Sequence, residues 1–321
     1  MRRADVLRRK VEDIEIPDAR GLADLVGAMG RGGGFTAKKI ADGVDILRTM
    51  FARDRCLTFL SFPAALMATG VRGVLRGLVE RRLVDVVVTT CGTADHDLAR
   101  VWQPYYHGDF EMDDVALHRL GVNRLGNILV PNESYGIVLE RRIQPMLQDL
   151  WDAGKRSLST KELLWELGRR NRSRESLLWW AWKNRVPVIV PAIMDGAVGY
   201  QLWSFWQEHK AFAIDMFRDE AELADLVFTA KEAGALMIGG GVSKHHTIWW
   251  NQFRGGLDHA VYITTAPEWD GSLSGARVRE GISWGKVKET ARQVTIEGDA
   301  SALLPLMIGA AVASPSRRRK R

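Results

Sequence analysis

Glu280-Gly-Ile-Ser-Trp-Gly-Lys286 places one lysine just after an aromatic residue and a glycine, with a carboxylate six residues upstream. A lysine held against an aromatic ring and away from water is destabilised as an ammonium. A neutral amine is a nucleophile, able to form an imine with a carbonyl or with another imine. The plain alternative is a surface lysine after a strand, with Trp284 as core filler. This segment alone favours the plain alternative.

Other residues able to do chemistry stand where strands should end. Thr89-Thr-Cys-Gly92 is followed by Asp95, His96 and Asp97. Pro191-Ala-Ile-Met-Asp195-Gly196 follows a second apolar run, and Gly239-Gly-Gly241 with Lys244-His-His246 a third. Thr264-Thr-Ala266 and Trp269-Asp-Gly271 follow a fourth. The triple glycine could bring backbone N–H groups close to a phosphate at a helix N-terminus, but it lacks the dinucleotide fingerprint spacing. His245 and His246 are adjacent and face different sides of a helix, which suits one structural histidine and one general base rather than a metal pair. Asp195 before glycine reads first as a turn former. Asp95-His96-Asp97 has no third partner nearby to complete a metal site, so a helix cap or a contact to a cationic substrate is the better reading. No metal is expected.

The elements that must position these residues alternate. Cys56–Ser61, Val84–Thr90, Val186–Val190, Phe212–Met216, Ala235–Ile238, Ala260–Thr264 and Gln293–Ile296 read as short buried strands. Asn127–Val130 is a candidate strand in a less regular region, 100–145. Helices are expected from Thr36, as a cap, to about Met50, and over Val71–Arg82, Glu175–Asn184, Glu220–Ala233 and Ser243–Phe253. Ser159-Thr-Lys-Glu162 is a capping box opening another. Gly30 to Gly34 reads as a flexible turn, and Cys91-Gly92 as a turn after the second strand. Alternating strands and helices predict an α/β fold whose mostly parallel sheet has helices on both faces and ligands beyond the strands' carboxyl ends. The expected division is an N-terminal arm over 1–30, one catalytic domain over 31–313 and a disordered basic tail over 314–321.

Composition narrows the class. The net charge is +6, but Arg317 to Arg321 supply five of the 45 basic residues; without them 40 face 39 acidic ones. A nucleic-acid-binding face on the folded domain is therefore not expected. No apolar run is long enough to span a membrane and none follows the charged N-terminus as a secretory signal would. Two cysteines, Cys56 and Cys91, suit a reducing cytoplasm. Twelve tryptophans call for extensive burial, in part at a subunit interface.

Arg124-Leu-Gly-Asn-Ile-Leu-Val-Pro-Asn-Glu133, Ile238-Gly-Gly-Gly-Val-Ser-Lys-His-His246, Asp270-Gly-Ser-Leu-Ser-Gly-Ala276 and Ile282-Ser-Trp-Gly-Lys286, in this order along the chain, resemble the deoxyhypusine synthase family. The likeness covers about Phe35 to Ile308 and is nearer the archaeal branch. It implies a Rossmann-like fold and a homotetramer with NAD at subunit interfaces. It also implies an enzyme that oxidises spermidine, carries the aminobutyl arm as an imine on a lysine, and passes it to one lysine of the translation initiation factor 5A precursor.

Carried over by position, the resemblance makes Lys286 the imine-forming lysine and His245 the proton acceptor. Glu280 and Trp284 fall in the polyamine site, and Asp95 adds a carboxylate suited to a polycation. Thr90, Cys91, Gly92, Asp195, Gly240, Thr265, Ala266, Asp299, Ala300 and the loop Ala64 to Ala68 fall on NAD contacts. That loop carries Ala64, Ala65 and Ala68 in place of polar side chains, so contacts there come from backbone. Tyr200 and Leu273 stand where eukaryotic members carry acidic residues, and His96 where they carry Glu. Tyr200 and Leu273 motivate an alternative: a paralogue that transfers the same arm to a small amine, as homospermidine synthase does.

Overall fold

The computed structural model describes residues 11–14 and 21–313. The basic tail and residues 1–10 and 15–20 of the N-terminal arm lie outside the described residues. Helices α1 (Leu22–Gly32) and α2 (Phe35–Ala52) precede β1 (Cys56–Ser61), α3 (Arg72–Glu80), β2 (Val86–Val88) and α4 (Cys91–Trp102). A small antiparallel sheet follows, made of β3 (Tyr106–His107), β4 (Val122–Leu125) and β5 (Ile128–Pro131), with α5 (Asp114–Arg119) between its first two strands. Then come α6 (Gly136–Asp152), β6 (Ser157–Leu158), α7 (Thr160–Asn171), α8 (Leu177–Asn184), β7 (Val188–Ile189) and α9 (Ala197–Glu208). The chain ends through β8 (Ala213–Ile214), α10 (Met216–Thr229), β9 (Glu232–Ile238), α11 (Gly241–Gln252), β10 (Leu257–Thr264), α12 (Glu280–Ser283), β11 (Val287–Glu297) and α13 (Ala300–Ala313).

Six strands form one parallel sheet in the order β11-β10-β9-β1-β2-β7. The chain starts at the centre, winds out to β7, returns beside β1 as β9 and winds out the other way. Phe59 of β1 thus faces Val86 on one side and Ala235 on the other. The reversal between β1 and β9 is the switch point at which such sheets leave a crevice. Strand residues divide by parity between two apolar layers. Leu60, Val87, Leu236, Val261 and Ile263 meet Val44, Leu47 and Met50 of α2 and Met307 of α13. Phe59, Val86, Val88, Ala235, Met237 and Tyr262 meet Leu223 and Val227 of α10 and Ile248 of α11. Burial on both faces explains why these strands read as continuous apolar runs. Among the described residues no helix is long and apolar enough to cross a membrane.

Four sequence expectations change. Gly30 to Gly32 are the end of α1, so only Gly33 and Gly34, both at positive φ, turn the chain. Thr36 is the second residue of α2 rather than its cap; Gly34, at φ +74°, turns the chain into the helix ahead of it. Cys91 opens α4 instead of a turn, because Thr90 is extended and the helix begins directly after it. Only Ala213 and Ile214 of the Phe212–Met216 run form a strand, paired with β6 apart from the central sheet. The capping box at Ser159 is present in full.

Helices α7 and α8 pack through Gly168, where a Cβ would press into the carbonyl of Leu178. Gly168→Ala is expected to destabilise the fold by about 1–3 kcal/mol, measured by denaturant unfolding, because backbone cannot give way as a side chain can.

Candidate active site

Lys286 lies at the amino end of β11, not beyond the carboxyl end of a strand. One turn of helix, α12, brings it there. Gly285 at φ +67° reverses the chain, Lys286 N–H donates to the Gly281 carbonyl at 2.9 Å, and the Lys286 carbonyl accepts Leu257 N–H at 3.1 Å. The side chain is 8% exposed. Its Nζ stands 5.1 Å from the Trp284 ring centroid and 5.9 Å from that of Trp249. It opens on a cavity of about 180 Å³ whose lining includes Glu280, Leu273, Trp284, Lys244 and Arg277, with Met237, Ile248 and Val287 as apolar wall.

His245 precedes Trp249 by one turn of α11, and the two rings stack at 5.7 Å and 26°. Trp249 is thus common to His245 and Lys286. Burial, with the Lys286 charge adding, lowers the His245 pKa, so the imidazole is neutral near pH 7 and able to accept a proton. Trp249 and Lys244 were absent from the sequence-predicted site. Lys244 is 2% exposed and donates to the carbonyls of Leu273 at 2.8 Å and Ala276 at 2.7 Å, with the Tyr262 ring 3.5 Å away. Burial pushes its pKa down to about 7, against the opposing Glu280 charge. A neutral amine keeps two N–H groups, so both carbonyl bonds survive deprotonation. A lysine beside His245 at a strand–helix junction was the available signal for it.

The positions assigned to a cofactor gather at the carboxyl end of the sheet. Ala64 N–H donates to Thr90 Oγ1 at 3.2 Å, and a Cβ on Gly92 would lie 2.8 Å from that of Ala64. Ala68 closes the same 3₁₀ turn and is buried. Cys91 underlies Gly196, where a Cβ would stand 2.7 Å from its sulfur, so the Asp195 loop rests on α4. Burial and the Asp95 charge push the Cys91 thiol up, which keeps it protonated. Asp195 borders an open groove of about 670 Å³ with Met194, Trp203 and Trp206. Gly240 packs on Ser274, Ala266 N–H donates to Thr264 Oγ1, and Asp299 and Ala300 lead into α13. No side chain caps the first turn of α4 or of α11, each of 12 residues. Uncapped N–H groups at two helix starts, with carboxylates at Asp195 and Asp299, fit a pyrophosphate and ribose hydroxyls.

Asp95, His96 and Tyr200 do not line the Lys286 cavity. Asp95 is fully buried and accepts Ala197 N–H and Val198 N–H at 2.8 Å each and the Tyr135 hydroxyl at 2.8 Å. It caps α9 from α4, the helix-cap alternative read from the sequence. Burial raises its pKa and those three donors lower it. His96 shares a 2.9 Å hydrogen bond with the Tyr105 hydroxyl. Tyr200 is exposed on α9, its ring 5.6 Å from that of Trp203.

Two outcomes follow. Asp95→Asn replaces one accepting oxygen by a donor facing N–H groups, and should cost about 1–3 kcal/mol in chemical unfolding. Desolvation, with Arg100 adding, depresses the His96 pKa from 6.5 to about 4. The unfolded chain then binds a proton that the folded chain does not as pH falls from 6.5 to about 4. Stability from this group is intact above 6.5 and falls across that window by up to about 3 kcal/mol. His96→Gln should flatten that part of the stability–pH curve.

A family model described as Deoxyhypusine synthase matches residues 24–311. The chain is 53% identical to a "Probable deoxyhypusine synthase" of Picrophilus torridus over 308 residues, covering 96% of this chain and 98% of that one. It is 50% identical to the protein of the same description from Thermoplasma acidophilum, covering 96% and 99%. Its fold also superposes on the crystal structure of a candidate deoxyhypusine synthase from Entamoeba histolytica with a TM-score of 0.66 at 19% identity, over 95% of this chain and 97% of the other. With a parallel doubly wound sheet, a buried lysine cavity and matches along nearly its whole length, this chain is a member of the deoxyhypusine synthase family of enzymes.

Proposed function

We propose that this enzyme transfers the aminobutyl group of spermidine, with NAD as cofactor, to one lysine of the translation initiation factor 5A precursor. The observation that carries the reading is Lys286, buried beside Trp284 and Trp249 with a neutral His245 on the same tryptophan. Glu280 supplies the carboxylate for a cationic amine, and the aromatic rings supply cation–π faces. When bound, NAD would supply the hydride acceptor for the oxidation and the hydride donor for the final reduction. Thr90 to Gly92, Gly240, Thr265, Ala266, Asp299 and Ala300 would hold it with Asp195 and the Ala64–Ala68 turn. His245 takes the proton released as the amine is oxidised. Lys286 attacks the oxidised carbon, 1,3-diaminopropane leaves, and the arm remains as an imine on Nζ. Attack by the acceptor lysine transfers the imine and frees the Lys286 amine. Because Lys286 stands at the amino end of β11, the cofactor loops and the lysine cavity lie toward opposite ends of that strand. Assembly as a homotetramer would bring exposed aromatics such as Tyr200 against a neighbour.

The test is the mass of the acceptor protein after incubation with enzyme, NAD and spermidine. An added aminobutyl group on one lysine is expected; an unchanged mass overturns the reading. Lys286→Arg should lower transfer by about 10³-fold or more, since a guanidinium forms no imine, while NAD affinity stays within about twofold. Leu273 on the cavity wall supports a second reading, transfer to a small amine. Formation of homospermidine from putrescine with no protein acceptor would favour it.

A further inference from the structure

The connection from Thr265 to Lys286 leaves β10 at its carboxyl end and enters β11 at its amino end. It therefore carries Thr265 and Ala266 at one end and Glu280, Trp284 and Lys286 at the other. Arg277, within it, touches both halves. Its Nη1 donates to the Ala266 carbonyl at 3.0 Å and to the Gly275 carbonyl at 3.2 Å. Its Nε lies 3.3 Å from Glu268 and 3.5 Å from Glu297, which ends β11 two residues before Asp299. The side chain is 11% exposed and forms part of the wall of the Lys286 cavity. The next residue, Val278, donates its N–H to Thr295 Oγ1 at 3.1 Å, which pins this part of the connection to β11.

A planar guanidinium can hold carbonyls and carboxylates on several sides at once. An ammonium in its place could keep the Ala266 and Gly275 bonds but could not also reach both carboxylates. A displaced guanidinium would move the Ala266 loop and the cavity wall together, since both rest on it.

We propose that Arg277 is a positioning residue that couples the cofactor loops to the amine cavity, so that filling either one orders the other. This rests on the reading that NAD and an amine bind here. Coupling of this kind is reciprocal: the factor by which spermidine tightens NAD equals the factor by which NAD tightens spermidine.

The test uses the full-length enzyme and two variants, Arg277→Gln and Arg277→Lys. NAD affinity is read by calorimetry with NADH as the unreactive form, which cannot oxidise the amine, with and without saturating spermidine. The spermidine KM and kcat are measured separately, and the thermal midpoint reports folding. Wild type should bind NAD several-fold more tightly with spermidine present. In R277Q both the NAD Kd and the spermidine KM should rise about tenfold, with kcat changed much less, and spermidine should no longer alter NAD affinity. R277K should recover NAD affinity in part and leave the coupling lost. A variant with wild-type coupling overturns the assignment, as does a loss of affinity that only tracks the unfolded fraction. Should R277Q fail to fold, R277K decides by the same criterion. Wild-type enzyme that binds no NAD overturns the proposed function, and this assignment with it; wild-type binding with unaltered variants overturns the assignment alone.

Discussion

Helix α4 carries two buried carboxylates, and each closes the N-terminus of a different helix. Asp95 takes two N–H groups of α9, and Asp97 takes those of Leu177 and Leu178 in α8, with the Ser176 hydroxyl at 2.6 Å. A carboxylate away from water is unfavourable unless donors surround it, and the start of a helix offers several aligned donors with a favourable dipole. The two residues therefore leave α8 and α9 little freedom to move relative to α4. A third buried carboxylate, Asp219 of α10, holds Thr160 and Lys161 at the start of α7 in the same manner. Helices α4, α7, α8 and α9 from one apolar layer and α10 from the other are thus joined through buried polar points. The Thr90 to Gly92 segment and the Asp195 loop stand at the ends of the elements so joined.

The cavity beside Lys286 has a different character. Lys244, Arg277 and Lys286 face it with one carboxylate, Glu280, among its lining residues. Lys244 and Arg277 are turned toward backbone carbonyls and flanking carboxylates, so their charge is engaged in shaping the connection between β10 and β11. Among the described residues Lys286 has no such carbonyl partner and meets aromatic faces instead. Three basic side chains in one small volume therefore have separate duties, distinguished by what each one meets.

Much of this was legible in the sequence. Strands β1, β9 and β10 are apolar on both faces, and an unbroken run of small and branched residues marks them without reference to anything distant. The motif around Lys286 and the glycines after β9 are local as well. Helix α13 was not foreseen: it is apolar nearly all round and contains Pro305, so it lacks the one-sided pattern by which surface helices are recognised. Helix α6 also contains a proline, Pro145. The duties of Asp95 and Arg277 depend on partners set by the fold. The N–H groups held by Asp95 lie 102 and 103 residues along the chain, and no spacing announces them. Trp249 was visible as one of many tryptophans, but its place between His245 and Lys286 needed the turn of α11.

The crossover between β10 and β11 holds most of the cavity wall yet contributes little to the two apolar layers. Its solvent-facing residues can therefore be exchanged while Arg277 and the buried Val278 stay in place. Substitution between Glu268 and Trp284 offers a route by which a family member could acquire a different amine preference while the sheet, its switch point and the capped helices stay as they are. Divergence among such enzymes would then concentrate in one short stretch of chain, with Lys244 and Arg277 as the fixed pins around which it varies.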